Sequence, residues 1–200
     1  MAPVHVDPAR VHEFVDADAF YAWLSQNHDK APEAWINIYK VGSGLPSINA
    51  KQAIDVVLCW GWIDGVKKSF DEKSFLQRYT PRGKKSIWSQ INVDNVARLE
   101  REGRMTPHGR REVEAAKADG RWDRAYASGK DMKIEGDLLA AIEANPKAMA
   151  MLPILSAQNR FALAFRVHNM KTDAGRQKKI ADFVAMLERG ETIYPQKIKG

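Results

Sequence analysis

One cysteine, Cys59, stands in 200 residues. A single thiol excludes an internal disulfide and any zinc site built from several cysteines. Long apolar runs are missing as well. No stretch approaches the about 18 consecutive apolar residues that would span a bilayer, so no membrane partner is expected. The opening residues, "MAPVHVDPARVHEF", lack a basic segment followed by an apolar one, which argues against a secretory signal. Histidines are few, at 5, 12, 28, 108 and 168, and show no metal-ligand spacing. His108 falls at the start of an expected helix and reads as exposed. No phosphate-binding loop, dinucleotide fingerprint or zinc motif occurs, so neither cofactor nor metal is expected. Internal repeats and low-complexity tracts are absent too. These absences describe a bacterial-type cytoplasmic protein, one domain in size or two small units sharing a core.

Charge is present in quantity, and unevenly. Residues 1–65 hold four bases against eight acids, whereas residues 66–88 hold seven against two. Residues 89–165 nearly balance at twelve against eleven, and residues 166–200 carry eight against four. An acidic start and a basic centre suit a local anion site. A diffuse nucleic-acid binder would spread basic runs along the chain or interleave them with exposed aromatics, so nucleic acid is disfavoured as a partner.

Periodicity divides the chain into helices and a few strands. Asp16 is placed to cap a helix carrying Phe20, Trp23 and Leu24 on one face. The β-branched and aromatic run at 34–41 reads as a strand, and Asn49 caps a helix that Gly61 ends from the C′ position. Residues 62–68 and 74–80 read as a hairpin turning near Asp71–Glu72. From Ser86 onward helices dominate, with breaks at Gly103 and Gly120 and a Thr106–Pro107 start signal. The stretch "RWDRAYASGKD" is the best linker, and helices follow at 136–144, 146–153, 156–170 and 173–189. The expectation is an α+β fold: a three-stranded antiparallel sheet packed with helices, followed by a helical bundle. Its divisions are 1–125 and 135–192, the second packed on the first.

Two stretches carry candidate chemistry. In "RYTPRGKKSIWSQIN", residues 78–92, four cations and no acid precede a helix start. With Ser86 as the N-cap, free N–H groups and the helix dipole would favour an anion, and Arg78 and Arg82 flank the Thr80–Pro81 turn as bidentate donors. Trp88 and Asn92, four apart, would share a helix face beside Ser89. The bland alternative is a capped, solvated turn. The second stretch is "GWIDG". Period two places Trp62, Asp64 and Val66 on one face, with Asp64 either paired to a base such as Arg78 or acting as a general acid/base. Pairing is the commoner case and is expected. Gly65 suggests a bulge, and Cys59 reads as an inert buried thiol.

The blocks "LCWGWIDGVKKSFDEKSFLQRYTPRGKKSIWSQIN", "LEREGRMTPHGRREVEAAKADGRW" and "NMKTDAGRQKKIADFVAML" resemble the YdeI/OmpD-associated (OmdA) family. Members of that family resemble LCfGWIDG, R-x-TPR-x-x-x-S-x-WS-x-x-N, GRMtp-x-G and K-T-x-x-x-R-x-x-R-I in this order. The resemblance runs over roughly 15–190, and its OmpD-associated part falls at about 135–192. Trp60 stands where Phe is usual, and Lys179 where Arg is frequent. The resemblance implies a bacteriocin-protection or antimicrobial-peptide-tolerance factor, a stress-response setting, and no settled catalytic residues.

Three functional expectations result. The first is capture of a phosphate- or carboxylate-bearing small molecule at Trp62, Asp64, Arg78, Thr80, Arg82, Ser86, Trp88, Ser89 and Asn92, without catalysis. The second is a small hydrolase using Asp64 and Ser89 near that basic pocket. The third is weak nucleic-acid binding, which a steep loss of affinity with salt would mark. A homodimer is the oligomer left open.

Overall fold

The computed structural model describes residues 5–129 and 131–196. They form two compact units, 1–125 and 126–200.

In the first unit the sheet is built from β1 (Val11–His12), β2 (Ala34–Tyr39), β3 (Trp62–Ser69) and β4 (Ser74–Pro81), in the order β1-β2-β4-β3. β2 and β4 run antiparallel, with Trp35 opposite Arg78, and β4 pairs antiparallel with β3, with Trp62 opposite Pro81. The sequence pattern gives three of these strands. It misses β1, whose two residues are too few to show any period, and which pairs parallel to β2. β3 slips register between Asp64 and Lys67, as Gly65 led one to expect. The slip, with Lys67 and Lys68 alongside it, blunts an edge strand that would otherwise invite pairing.

Helices α1 (Ala17–Asn27) and α2 (Ala50–Cys59) cover the sheet. Asp16 caps α1, and Asn49 forms a reciprocal capping box with Gln52 on α2. Phe20, Leu24, Ile36, Ile38, Val56, Val57, Trp62 and Tyr79 make a core that excludes water. A second core joins Leu58 and Cys59 to Trp88, Val96, Leu99, Met105 and Val113, which come from α2, α3 (Gln90–Arg101), α4 (Pro107–Ala118) and the segments before them.

The contact between α2 and α4 positions the site. Thr106 caps α4, and its hydroxyl and backbone N–H both donate to the Cys59 carbonyl, at 2.6 and 3.2 Å. Three residues on, a Cβ at Gly109 would lie 2.4 Å from the same carbonyl oxygen, so only glycine lets the helices meet so closely. Gly61, at φ +73°, ends α2 and aims the chain into β3. The blocks "LCWGW" and "GRMTPHG" are therefore two sides of one backbone contact.

Among the described residues, the second unit holds α5 (Gly136–Glu143), α6 (Pro146–Met151), α7 (Ala157–His168) and α8 (Asp173–Glu188), with a 3-10 turn at Leu152–Ile154. Their apolar stripes meet at Leu138, Ile142, Leu163, Val167, Ile180, Phe183 and Leu187. Thr172 caps α8, and Arg176 grips Asp137 of α5 bidentately at 2.7 and 2.6 Å. The "KTDAGR" block thus supplies a cap and a helix-to-helix clamp.

Candidate functional site

The helix expected to begin at Ser86 begins at Gln90. Its N-cap is Ser89, whose hydroxyl accepts the Asn92 N–H at 3.2 Å, so Ser86 is not the cap. Ser86 instead closes the 83–86 turn: its hydroxyl accepts the Gly83 N–H and its own N–H bonds the Gly83 carbonyl. The Ser86 carbonyl takes a hydrogen bond from Arg121 at 2.8 Å. Trp88 lies before the helix and is buried, so it shares no helix face with half-buried Asn92.

Arg78 and Arg82 have separate partners. Arg78 pairs with Glu33 at 2.6 Å, next to a second pair from Arg10. Arg82, only 7% exposed, lays its guanidinium 3.6 Å from the Trp88 ring centroid and donates Nη1 to the Ile87 carbonyl at 3.3 Å. Its backbone N–H bonds the Gly61 carbonyl, which ties the end of β4 to the α2–β3 turn. Thr80 is half-buried opposite Ile63. Asp64 is exposed and has no ion pair among the described residues, so the expected pairing with Arg78 does not form. Trp62 is buried and donates its indole N–H to the His28 carbonyl, while Asp64 and Val66 are exposed, so the three do not form one uniform face.

Trp62 and Arg82 do share a wall of one cleft, about 350 Å³ in volume, with His28, Asp29, Trp60, Gly61, Pro81, His108, Arg111 and Glu112. It lies where the end of α1, the α2–β3 turn, the end of β4 and the first turns of α4 meet. Its most unusual feature is a pair of facing imidazoles. His28 Nε2 lies 3.2 Å from His108 Nδ1, and the ring centroids are 3.9 Å apart. Trp60 lies against both rings, at 4.8 Å from His28 and 5.8 Å from His108. The opposite nitrogen of His28, Nδ1, donates to the Leu24 carbonyl at 3.1 Å, which fixes a proton there. Arg111 Nη2 reaches the same His108 Nδ1 at 3.1 Å. Partial burial, then the charges of His28 and Arg111, push the His108 imidazole below its usual range.

His108 is therefore half-buried and engaged, not exposed as its place at a helix start suggests. Sequence reasoning also passed over His28, Trp60 and Arg111. His28 and His108 lie 80 positions apart, and only the contact of the "CWGW" and "GRMTPHG" blocks brings them together. Two imidazole nitrogens at this spacing could begin a metal site, yet no third His, Cys, Asp or Glu completes one among the described residues. Cys59 is buried, and burial pushes its thiol up to about 11, which suits the inert role expected of it.

Fold and cleft together define an α+β unit with a pocket walled by aromatic rings, imidazoles and charged residues of both signs, accompanied by a helical unit among the described residues. The chain belongs to the family described as a domain of unknown function (DUF8412), which matches residues 12–112 and so contains every residue lining the cleft. Residues 131–190 match the family described as Bacteriocin-protection, YdeI or OmpD-Associated (OmdA), the family that the sequence resembles. No curated protein and no solved structure matches the chain. No helix among the described residues is long and apolar enough to cross a membrane.

Proposed function

We propose that this protein holds a small carboxylate- or phosphate-bearing molecule in the His28–Arg82–His108–Arg111 cleft, without transforming it, within a cytoplasmic bacteriocin- or peptide-tolerance role. The observation that carries the reading is that two arginines, Arg82 and Arg111, and two imidazoles line one pocket of about 350 Å³, a volume suited to a small ligand. The OmdA match of residues 131–190 supports the protective context. Asp29 and Glu112 also line the cleft, which favours one compact anionic head over a polyanion such as nucleic acid. Nothing in the cleft favours hydrolysis, since Asp64 lies outside its lining and the Ser89 hydroxyl caps α3. Arg111 is the residue to change, because it is exposed and its loss leaves the core intact. Titration with sulfate and with benzoate should show binding that Arg111→Ala weakens by about 1.5–3 kcal/mol, the range of a charge-assisted hydrogen bond. Equal affinity in the folded variant, or no binding of either anion, would remove the proposal.

A further inference from the structure

Hydrogen counting at the imidazole pair leads beyond anion capture. His108 Nδ1 has room for one hydrogen bond, as acceptor or as donor. Two groups approach it: Arg111 Nη2 at 3.1 Å and His28 Nε2 at 3.2 Å. Arg111 can only donate, so while it is in place His108 carries its proton on Nε2 and Nδ1 is an acceptor. His28 already has its proton on Nδ1, bonded to the Leu24 carbonyl, which leaves a lone pair on Nε2 when the ring is neutral. Two lone pairs then face each other at 3.2 Å. One added proton would turn this contact into an N–H···N bond, but the acceptor site is taken for as long as Arg111 holds it.

We infer that the cleft is a proton-coupled anion site, in which the ligand draws Arg111 away from His108 and the two imidazoles take up one proton from solvent. The inference rests on the anion-binding reading above. In the bound state His28 is an imidazolium. Its Nδ1–H stays on the Leu24 carbonyl and its Nε2–H donates to the vacated Nδ1 of His108. The pair gains one positive charge beside a ligand that brings one negative charge. Arg111 is free to make the exchange because its side chain is solvent-exposed at the mouth of the cleft. The other charged groups facing the pair are Asp29 after α1, Arg82 after β4 and Glu112 on α4. Asp29 favours positive charge on His108, whereas Arg111 opposes it until the ligand takes its charge. Affinity should therefore rise as the pH falls.

The test uses the full chain and sulfate, which stays ionised throughout, between about pH 5 and 8, where histidine titrates. Calorimetry in buffers of different ionisation enthalpy counts the protons taken up, and imidazole ¹⁵N shifts report which ring gains them. Uptake approaching one proton is expected, with affinity rising by up to about tenfold per pH unit over part of that range. His28→Gln and His108→Gln, each checked for folding by thermal melt, should bind sulfate more weakly and without the slope. Binding without pH dependence would overturn the proton coupling and leave the anion site standing. A slope that survives in both variants would place the proton elsewhere and also overturn it. Absence of sulfate binding at every pH would overturn the proton-coupled site, and absence of benzoate binding as well would remove the anion site.

Discussion

Gly109 has less room for a side chain than Gly61, the glycine that lines the cleft. A Cβ at Gly109 would lie 2.4 Å from the Cys59 oxygen and 2.7 Å from the Leu58 oxygen, and a backbone cannot retreat as a flexible side chain can. Gly109→Ala should therefore force α4 away from α2 and cost about 1–3 kcal/mol, as overpacking does. It should also widen the separation of His28 and His108. A melt and an anion titration would both register the change, and a fully stable Gly109→Ala protein would refute the close contact. This glycine was legible as part of a motif, but its reason was not. Nothing in a single sequence says that the third residue after Thr106 meets a carbonyl from 50 positions earlier. The same limit hid the cleft. Arg82 stood out because it is one of four cations clustered in residues 78–85. His28 and Arg111 stand among ordinary neighbours, and only their meeting gives them a role.

At the scale of elements, local signals did most of the work. Asp16, Asn49, Thr106 and Thr172 each accept the backbone N–H that a cap should accept, and Gly61, Gly103, Gly120 and Gly190 all take positive φ at helix ends. The error at the start of α3 has a physical cause. Ser86 and Ser89 are equally good caps by composition, and the choice falls to Trp88, which must be buried under Arg82 and against Trp122 before a helix can start. Pairing across β-strands was less legible still, because long-range register decides it. Arg78 finds Glu33, which precedes β2, while Asp64 sits beside the bulge of the edge strand β3. The two acids should then respond in opposite ways. Asp64→Asn should change stability by no more than about 0.5 kcal/mol, as exposed substitutions do. Glu33→Gln leaves Arg78 without its carboxylate, while Arg10 keeps Asp7, and should cost about 1–2 kcal/mol, reduced from the buried case because both arginines are more than a third exposed. Denaturant melts of both variants would decide, and a large loss at Asp64 would restore the pairing once expected of it.

On the scale of the whole molecule, the distribution of chromophores allows one unit to be followed by itself. All six tryptophans lie between residues 23 and 122, so their fluorescence reports only the first unit, while far-ultraviolet dichroism reports the helices of both. The titrating groups divide in the same way. In the first unit, burial lowers His12, and burial with neighbouring positive charge lowers His108. Below the ordinary histidine pKa the unfolded chain then binds more protons than the folded one, so stability falls as pH drops from about 6.5 toward the lowered folded values. Asp137 in the second unit is held below its usual range by the Arg176 guanidinium, and Glu191 by Arg189. Their contribution is present above the ordinary carboxylate pKa and is lost as pH falls through the depressed values, in a more acidic window. Carboxylates of the first unit, Asp71 and Asp119, follow in that lower window too. Denaturation followed by tryptophan fluorescence should thus show a loss of stability beginning near pH 6.5, before any change assignable to Asp137 and Glu191. At the basic end the raised Cys59 thiol works the other way. The unfolded thiol ionises first, and stability declines as pH rises through the range up to about 11. Sulfate tightens the acidic test. If the imidazole pair takes up a proton with the anion, saturating sulfate should remove part of the loss below pH 6.5 and leave the carboxylate step unchanged. A tryptophan-detected stability that stays flat from about pH 6.5 to 5, with and without sulfate, would rule out strained histidines in this cleft.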